Sequence, residues 1–190
     1  MTSPNIARAR GQRAYVLIST LVMLLVLTFL AISMYHSFNA QENIAANSKE
    51  KARAFQMAQS TLQYGEYQLT LNALALAQGG NCSSTTPLTA VTICATPVNM
   101  LPATLSNPMT LANGLPYSTM QIAPTLSQTG GVNTYYGSPQ LYIQYLGIAP
   151  DLTGQLYQVT ALGYGGNANS VAVVQSTFET SSGVKNLGGL

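Results

Sequence analysis

A chain of 190 residues with seven basic and five acidic side chains is only 6% charged, against roughly 25% for an ordinary globular chain. Its length allows one modest core plus an extension. From residue 54 onward the only charges are Glu66, Asp151, Glu179 and Lys185, too few for a basic surface that could follow a phosphate backbone, which argues against nucleic-acid binding.

At the N-terminal end, Arg8, Arg10 and Arg13 precede an uncharged apolar run that begins at Ala14 and lasts until His36. Residues 15–35 would measure about 32 Å as a helix, matching a hydrocarbon core of about 30 Å. The run is longer than the roughly 7–15 apolar residues of a secretory signal, although Ala31-Ile32-Ser33 offers a small-residue cleavage site. Basic residues on the N-terminal flank predict that this end stays in the cytoplasm, with residues 36–190 outside the inner membrane.

No Gly or Pro occurs between Ala14 and Tyr64, so the helix is expected to continue past the membrane to about Gln78, where Gly79-Gly80 ends it. Ala45, Ser48, Ala52, Phe55, Ala58, Leu62, Gly65, Leu69, Ala73 and Leu76 recur at spacings of three or four and predict its buried stripe. Lys49, Glu50, Lys51, Arg53 and Glu66 fall off that stripe. A helix of this length, roughly 97 Å at about 1.5 Å per residue, exceeds what one small domain can cover. Its first half must be covered by lipid and later by similar helices.

Residues 79–116 are rich in Ser, Thr, Pro, Asn and Gly and read as a loop region carrying the only two cysteines, Cys82 and Cys94. In an exported segment, with no His or further Cys near, this pair points to a disulfide rather than a metal site; two free buried thiols are the alternative. Strands are expected at 117–122, 140–146, 156–164 and 170–179, rich in Tyr, Val, Thr and Ile and separated by Gly, Pro and Asn. Tyr142, Tyr145, Tyr157, Val159, Val171 and Val173 are candidates to meet the helix stripe. The expected fold is therefore α+β, a long N-terminal helix with a membrane-spanning first half, packed on a C-terminal antiparallel sheet. In chain order it comprises a basic leader at 1–14, helix at 15–35 and 36–78, a loop region at 79–116, a sheet at 117–180 and a tail at 181–190.

Catalytic groupings are not found. His36, the only histidine, sits at the expected membrane boundary with no acid in helical reach. Gly163-Tyr164-Gly165-Gly166 lacks the spacing of a phosphate loop and is expected to be a hairpin turn; Asp151, between Pro150 and Gly154, also reads as a turn residue. No Ser, His and acid set can be assembled, so neither enzyme activity nor a metal or cofactor is expected.

The run Gln12-Arg13-Ala14-Tyr15-Val16-Leu17-Ile18-Ser19 resembles the processing and methylation motif of type IV pilins, with Ala14 in the place of the leader Gly, Tyr15 in the place of the methylated aromatic residue and Ser19 at the fifth mature position, where the family has Glu. Residues 41–47 and 54–58 resemble the helix of PilX-type minor pilins, and residues 157–161, 163–167 and 174–178 the C-terminal strands of that family. The resemblance implies cleavage by a prepilin peptidase after Ala14, with Gly11 as a second candidate, and methylation of the Tyr15 amine. Gly11 would leave Arg13 at the start of the membrane helix, a costly placement. It also implies an inner-membrane subunit that passes through an assembly platform into a pilus at the cell surface. There it would contact other minor pilins and the major pilin through the long helix, beside a PilY-type tip adhesin, and serve adhesion and twitching motility. In the family, the Glu of an incoming subunit pairs with the terminal amine of its neighbour; Ser19 in its place fits an initiating subunit. Rival readings are a type II secretion pseudopilin, a membrane-anchored binding module that never polymerises, and an exported enzyme.

Overall fold

The computed structural model describes residues 6–71, 79–116, 124–129, 133–150, 152 and 154–181, and, of these, the side chains of all but 6–14 and 181. The strand expected at 117–122, the helix end at 72–78, Asp151 and the tail after 181 lie outside the described residues. The chain divides between Ala46 and Asn47 into two compact units. Helix α1, Ile6–Thr70, contributes to both.

In the first unit, the side chains from Tyr15 to Phe38 are exposed on every side of the helix, which suits a segment surrounded by lipid rather than by its own domain. Its hydroxyls turn back on the helix: Ser19, Thr20 and Thr28 donate to the carbonyls of Val16, Leu17 and Leu25 at 2.9, 2.9 and 2.7 Å. Such local bonds satisfy polar groups where no water is available.

The second unit is built on a five-stranded sheet. Its long strands, β5 (Gln140–Ile148), β6 (Gly154–Tyr164) and β7 (Val171–Ser181), form an antiparallel meander with β6 central. The free edge of β5 is shared by two short strands, β4 (Leu115–Pro116), antiparallel, and β1 (Ile93–Cys94), which pairs in parallel with Ile143 and Gln144. The sheet is thus antiparallel except at β1. A separate pair, β2 (Met100–Leu101) with β3 (Thr110–Leu111), makes a small antiparallel hairpin.

Period-two alternation sends neighbouring residues of each strand to opposite faces. Leu141, Ile143, Tyr157, Val159 and Ala161 pack with Leu62 and Leu69 of α1, and Tyr145 and Tyr157, paired in register, hold their rings 5.7 Å apart. The opposite face carries Tyr142, Leu162 and Tyr164, with Val171 and Val173 beside them, against Cys94 and Leu111. Tyr142, Val171 and Val173 therefore do not meet the helix as expected. The segment 82–111, expected as loop, is the second cover of the sheet, so the unit has three layers.

The helix stripe is also rotated from expectation. Ala58, Leu62, Gly65 and Leu69 are buried as expected, but Ala52 and Phe55 are exposed and Ala54 and Thr61 take their place. The cause is close approach to β6: a methyl group at Gly163 would lie 2.6 Å from the Ala54 carbonyl oxygen and 2.5 Å from the Ala58 nitrogen. Only small residues fit between two backbones so near to each other. This rotation brings Glu50 and Arg53, expected on the far side, to the edge of the buried face, and Glu66 accepts a 2.6 Å hydrogen bond from Ser176 on β7.

Candidate functional site

Three parts of the chain are candidates for function: the N-terminal apolar segment, a charged junction at residues 50–53 and the disulfide-closed lobe. In the first, Ala14 and Tyr15 both lie within α1, and the Tyr15 side chain is three-quarters exposed. Ser19 lies one helical turn after Tyr15, with its hydroxyl bonded to its own helix. A glutamate at that position would be an ionised acceptor to which no helix carbonyl can donate, whereas the serine hydroxyl donates to the carbonyl of its own helix and makes no demand on a neighbour.

The charged junction was not foreseen. Arg53 holds Glu50 at 2.9 Å, donates to the Thr134 carbonyl at 2.7 Å and stacks 4.7 Å above the Tyr135 ring. The Glu50 carboxylate also accepts the Gly166 N–H at the start of the β6–β7 turn, and Lys51 reaches the carbonyls of Asn169 and Val171 at 3.4 Å each. That turn is shaped by Asn167, whose side-chain oxygen accepts the N–H groups of Asn169 and Ser170. Of the Gly163 to Gly166 run, expected as a hairpin turn, Gly163 and Tyr164 are the last residues of β6 and only Gly165 and Gly166 enter the turn, which is docked on the helix. A signal for the junction was present in the sequence: the i, i+3 pair Glu50 and Arg53 belongs to the only charge cluster between residue 43 and Glu66.

The Gly166 N–H, and after it the Arg53 guanidinium, hold the Glu50 carboxyl below its ordinary 4.5, against the opposing effect of burial. Because the folded-state value is depressed, the stabilisation is fully present above the unfolded value and is lost as pH falls through the folded value. Glu50→Gln should therefore be less stable than the native chain at pH 7, with the gap closing below about pH 4.5. Thermal unfolding at both pH values checks this; a gap that does not change with pH would show that the charge is irrelevant. Removing the whole carboxylate in Glu50→Ala should cost about 1.5–3 kcal/mol, the range for hydrogen bonds to charged groups.

In the lobe, Cys82 and Cys94 are joined by a disulfide across a sequence separation of 12, and Cys94 is fully buried. Side chains fix the loops around it. Buried Asn113 accepts the Asn99 N–H at 3.0 Å, and Gln140 accepts both the Leu111 N–H at 2.7 Å and the Thr110 hydroxyl at 2.9 Å. Two tyrosines of the sheet donate into the lobe, Tyr142 to the Thr96 carbonyl at 2.9 Å and Tyr164 to the Met109 carbonyl at 2.7 Å. Burial pushes the Tyr164 phenol above its ordinary value, keeping it a neutral donor at physiological pH.

An N-terminal apolar helix, the only one among the described residues long enough to cross a membrane, joined to a sheet that carries a disulfide lobe defines the pilin class of α+β protein. The profile of the family described as type IV pilus assembly protein PilX, C-terminal, matches residues 72–180, more than half of the chain, and the chain belongs to that family. No curated protein and no solved structure matches it. The chain is thus a PilX-type minor pilin related to type IV pilus assembly, a structural rather than enzymatic family, and its apolar helix fits an inner-membrane anchor.

Proposed function

We propose that this minor pilin helps to initiate assembly of the pilus and sits in its tip complex. It is cleaved by a prepilin peptidase after Ala14, methylated at the Tyr15 amine, and held in the inner membrane with residues 36–190 in the periplasm until the assembly platform extracts it. In the filament the helix packs on other minor pilins and the major pilin, and a PilY-type adhesin stands beside it. The observation that carries this reading is Ser19, whose hydroxyl is satisfied by Val16 within its own helix. A subunit entering an existing filament gains from a buried glutamate that pairs with its neighbour's amine; a subunit that enters first has no such amine to meet, and an unpaired carboxylate in lipid is costly.

Ser19→Glu tests the role. The added carboxylate should cost up to about 2.5–3.5 kcal/mol on insertion scales, less near the interface, without a compensating ion pair. Surface pilus number is expected to stay unchanged or fall, with labelled protein scarce or confined to tips. A rise in its share of sheared pili, with label along the shaft, would overturn the initiating role. The processing site is checked independently by mass spectrometry of the N-terminal peptide from sheared pili, expected to begin at methylated Tyr15; retention of residues 1–14 in assembled material would contradict it.

A further inference from the structure

The β2–β3 hairpin overhangs a cavity of about 530 Å³, within the range of roughly 300–1,000 Å³ usual for small-molecule sites. Its aromatic part is Tyr164 and Tyr136, with ring centroids 5.9 Å apart at 57°. Tyr164 is almost wholly buried and its hydroxyl is committed to Met109, so it serves as a rigid backing. Tyr136 is only half buried and is the one ring free to offer a face. On the rim stand Asn107 and Gln128, both exposed, and among the described residues neither their side-chain amides nor the Tyr136 hydroxyl has a hydrogen-bond partner. None of the described lining residues carries a charge.

We propose that this cavity binds an uncharged sugar unit of a glycan. The Tyr136 ring and the amides of Asn107 and Gln128 each match a part of such a ligand. A pyranose presents one face of C–H groups, which stacks on the electron-rich face of an aromatic ring. Its hydroxyls each donate and accept, and a side-chain amide is the neutral group that offers both functions in a fixed geometry. An ionised ligand would lose water at this wall and find no opposite charge in return. A proline-rich peptide, the other usual guest of aromatic grooves, needs a series of exposed rings; burial of Tyr164 leaves a single one. All its lining residues belong to the sheet unit.

The test uses the full chain in micelles of a detergent without a sugar headgroup, titrated by saturation-transfer NMR. Probes are neutral disaccharides ending in galactose, glucose or an N-acetylhexosamine, their sialylated counterparts, and a proline-rich peptide. At least one neutral disaccharide is expected to bind with millimolar affinity, weakened about tenfold or more by Tyr136→Ala and by the double variant Asn107→Ala, Gln128→Ala. The double variant alters only exposed amides, so it decides the matter if Tyr136→Ala fails to fold. Absence of binding by every neutral probe, unchanged affinity in the double variant, or preference for the sialylated sugars or the peptide would each overturn the proposal.

Discussion

Gly163→Ala is expected to destabilise the sheet unit by about 3 kcal/mol, the upper part of the range for overpacking, out of a total of about 5–15 kcal/mol for an ordinary domain. The new methyl group would meet the Ala58 nitrogen at 2.5 Å, the Ala54 carbonyl oxygen at 2.6 Å and the Ala58 α-carbon at 3.1 Å. All three are backbone atoms inside a regular helix, so no side-chain change at Ala54 or Ala58 can make room. The helix must therefore lift away from β6, opening contacts of Leu62 and Leu69 as well. Two comparisons isolate the cause. At Gly65 the nearest atoms, at 2.7 and 2.8 Å, belong to the side chains of Leu141 and Val159 rather than to backbone, and alanine gains about 1 kcal/mol of helix propensity; Gly65→Ala should cost clearly less. At Gly80 nothing lies within 4 Å, and Gly80→Ala should change stability by no more than about 0.5 kcal/mol. Chemical unfolding of the three variants in micelles gives the order directly. Equal midpoints for Gly163→Ala and Gly80→Ala would show that the helix and sheet are not held at this distance.

The long helix and the three long strands were legible because each carries a sustained period that local composition alone writes into the sequence: an apolar run without Gly or Pro for α1, Tyr- and Val-rich alternation for β5 to β7. The phase of the helix stripe was not legible. Ala45, Ala46, Ala52, Ala54 and Ala58 permit two registers, and the aromatic Phe55 favours the wrong one; the choice is made by Gly163 and Gly165, more than 100 residues away, which allow α1 to approach only along Ala54 and Ala58. The second cover of the sheet escaped for a related reason. Segment 82–111 has no hydrophobic period, and its order depends on Asn113, Gln140, Tyr142 and Tyr164 binding its backbone from elsewhere in the chain. Composition could show that this segment has turns, but not that the turns face a sheet. The cysteine pair was legible because its spacing and exported setting are local facts, whereas the Glu50 and Arg53 junction needs the β6–β7 turn to give those charges a target.

Loss of the disulfide should match Gly163→Ala in size and differ from it in location. Closing a loop of this length stabilises by roughly 3 kcal/mol in the chain-entropy model, and less if the unfolded loop is already compact. Cys94→Ser carries a further cost, because Cys94 is fully buried beside Leu111, Tyr142 and Leu162, and a hydroxyl placed there must find a partner among apolar side chains. Cys82 is only partly buried, so Cys82→Ser removes the same cross-link with a smaller penalty of this second kind. The expected order of stability is therefore native, then Cys82→Ser, then Cys94→Ser. The damage should start in the lobe: hydrogen exchange is expected to quicken first at Ala95, Leu111 and Ala112, whose N–H groups bond to Gly80, Gln140 and Asn99, while the β6–β7 ladder stays protected. Alkylation of the unfolded chain without reductant gives the control, since the native protein should show no free thiol. If both serine variants exchange as slowly as the native chain throughout residues 93–112, the lobe is held by its hydrogen bonds to Asn113, Gln140, Tyr142 and Tyr164 alone, and the disulfide adds nothing to its order.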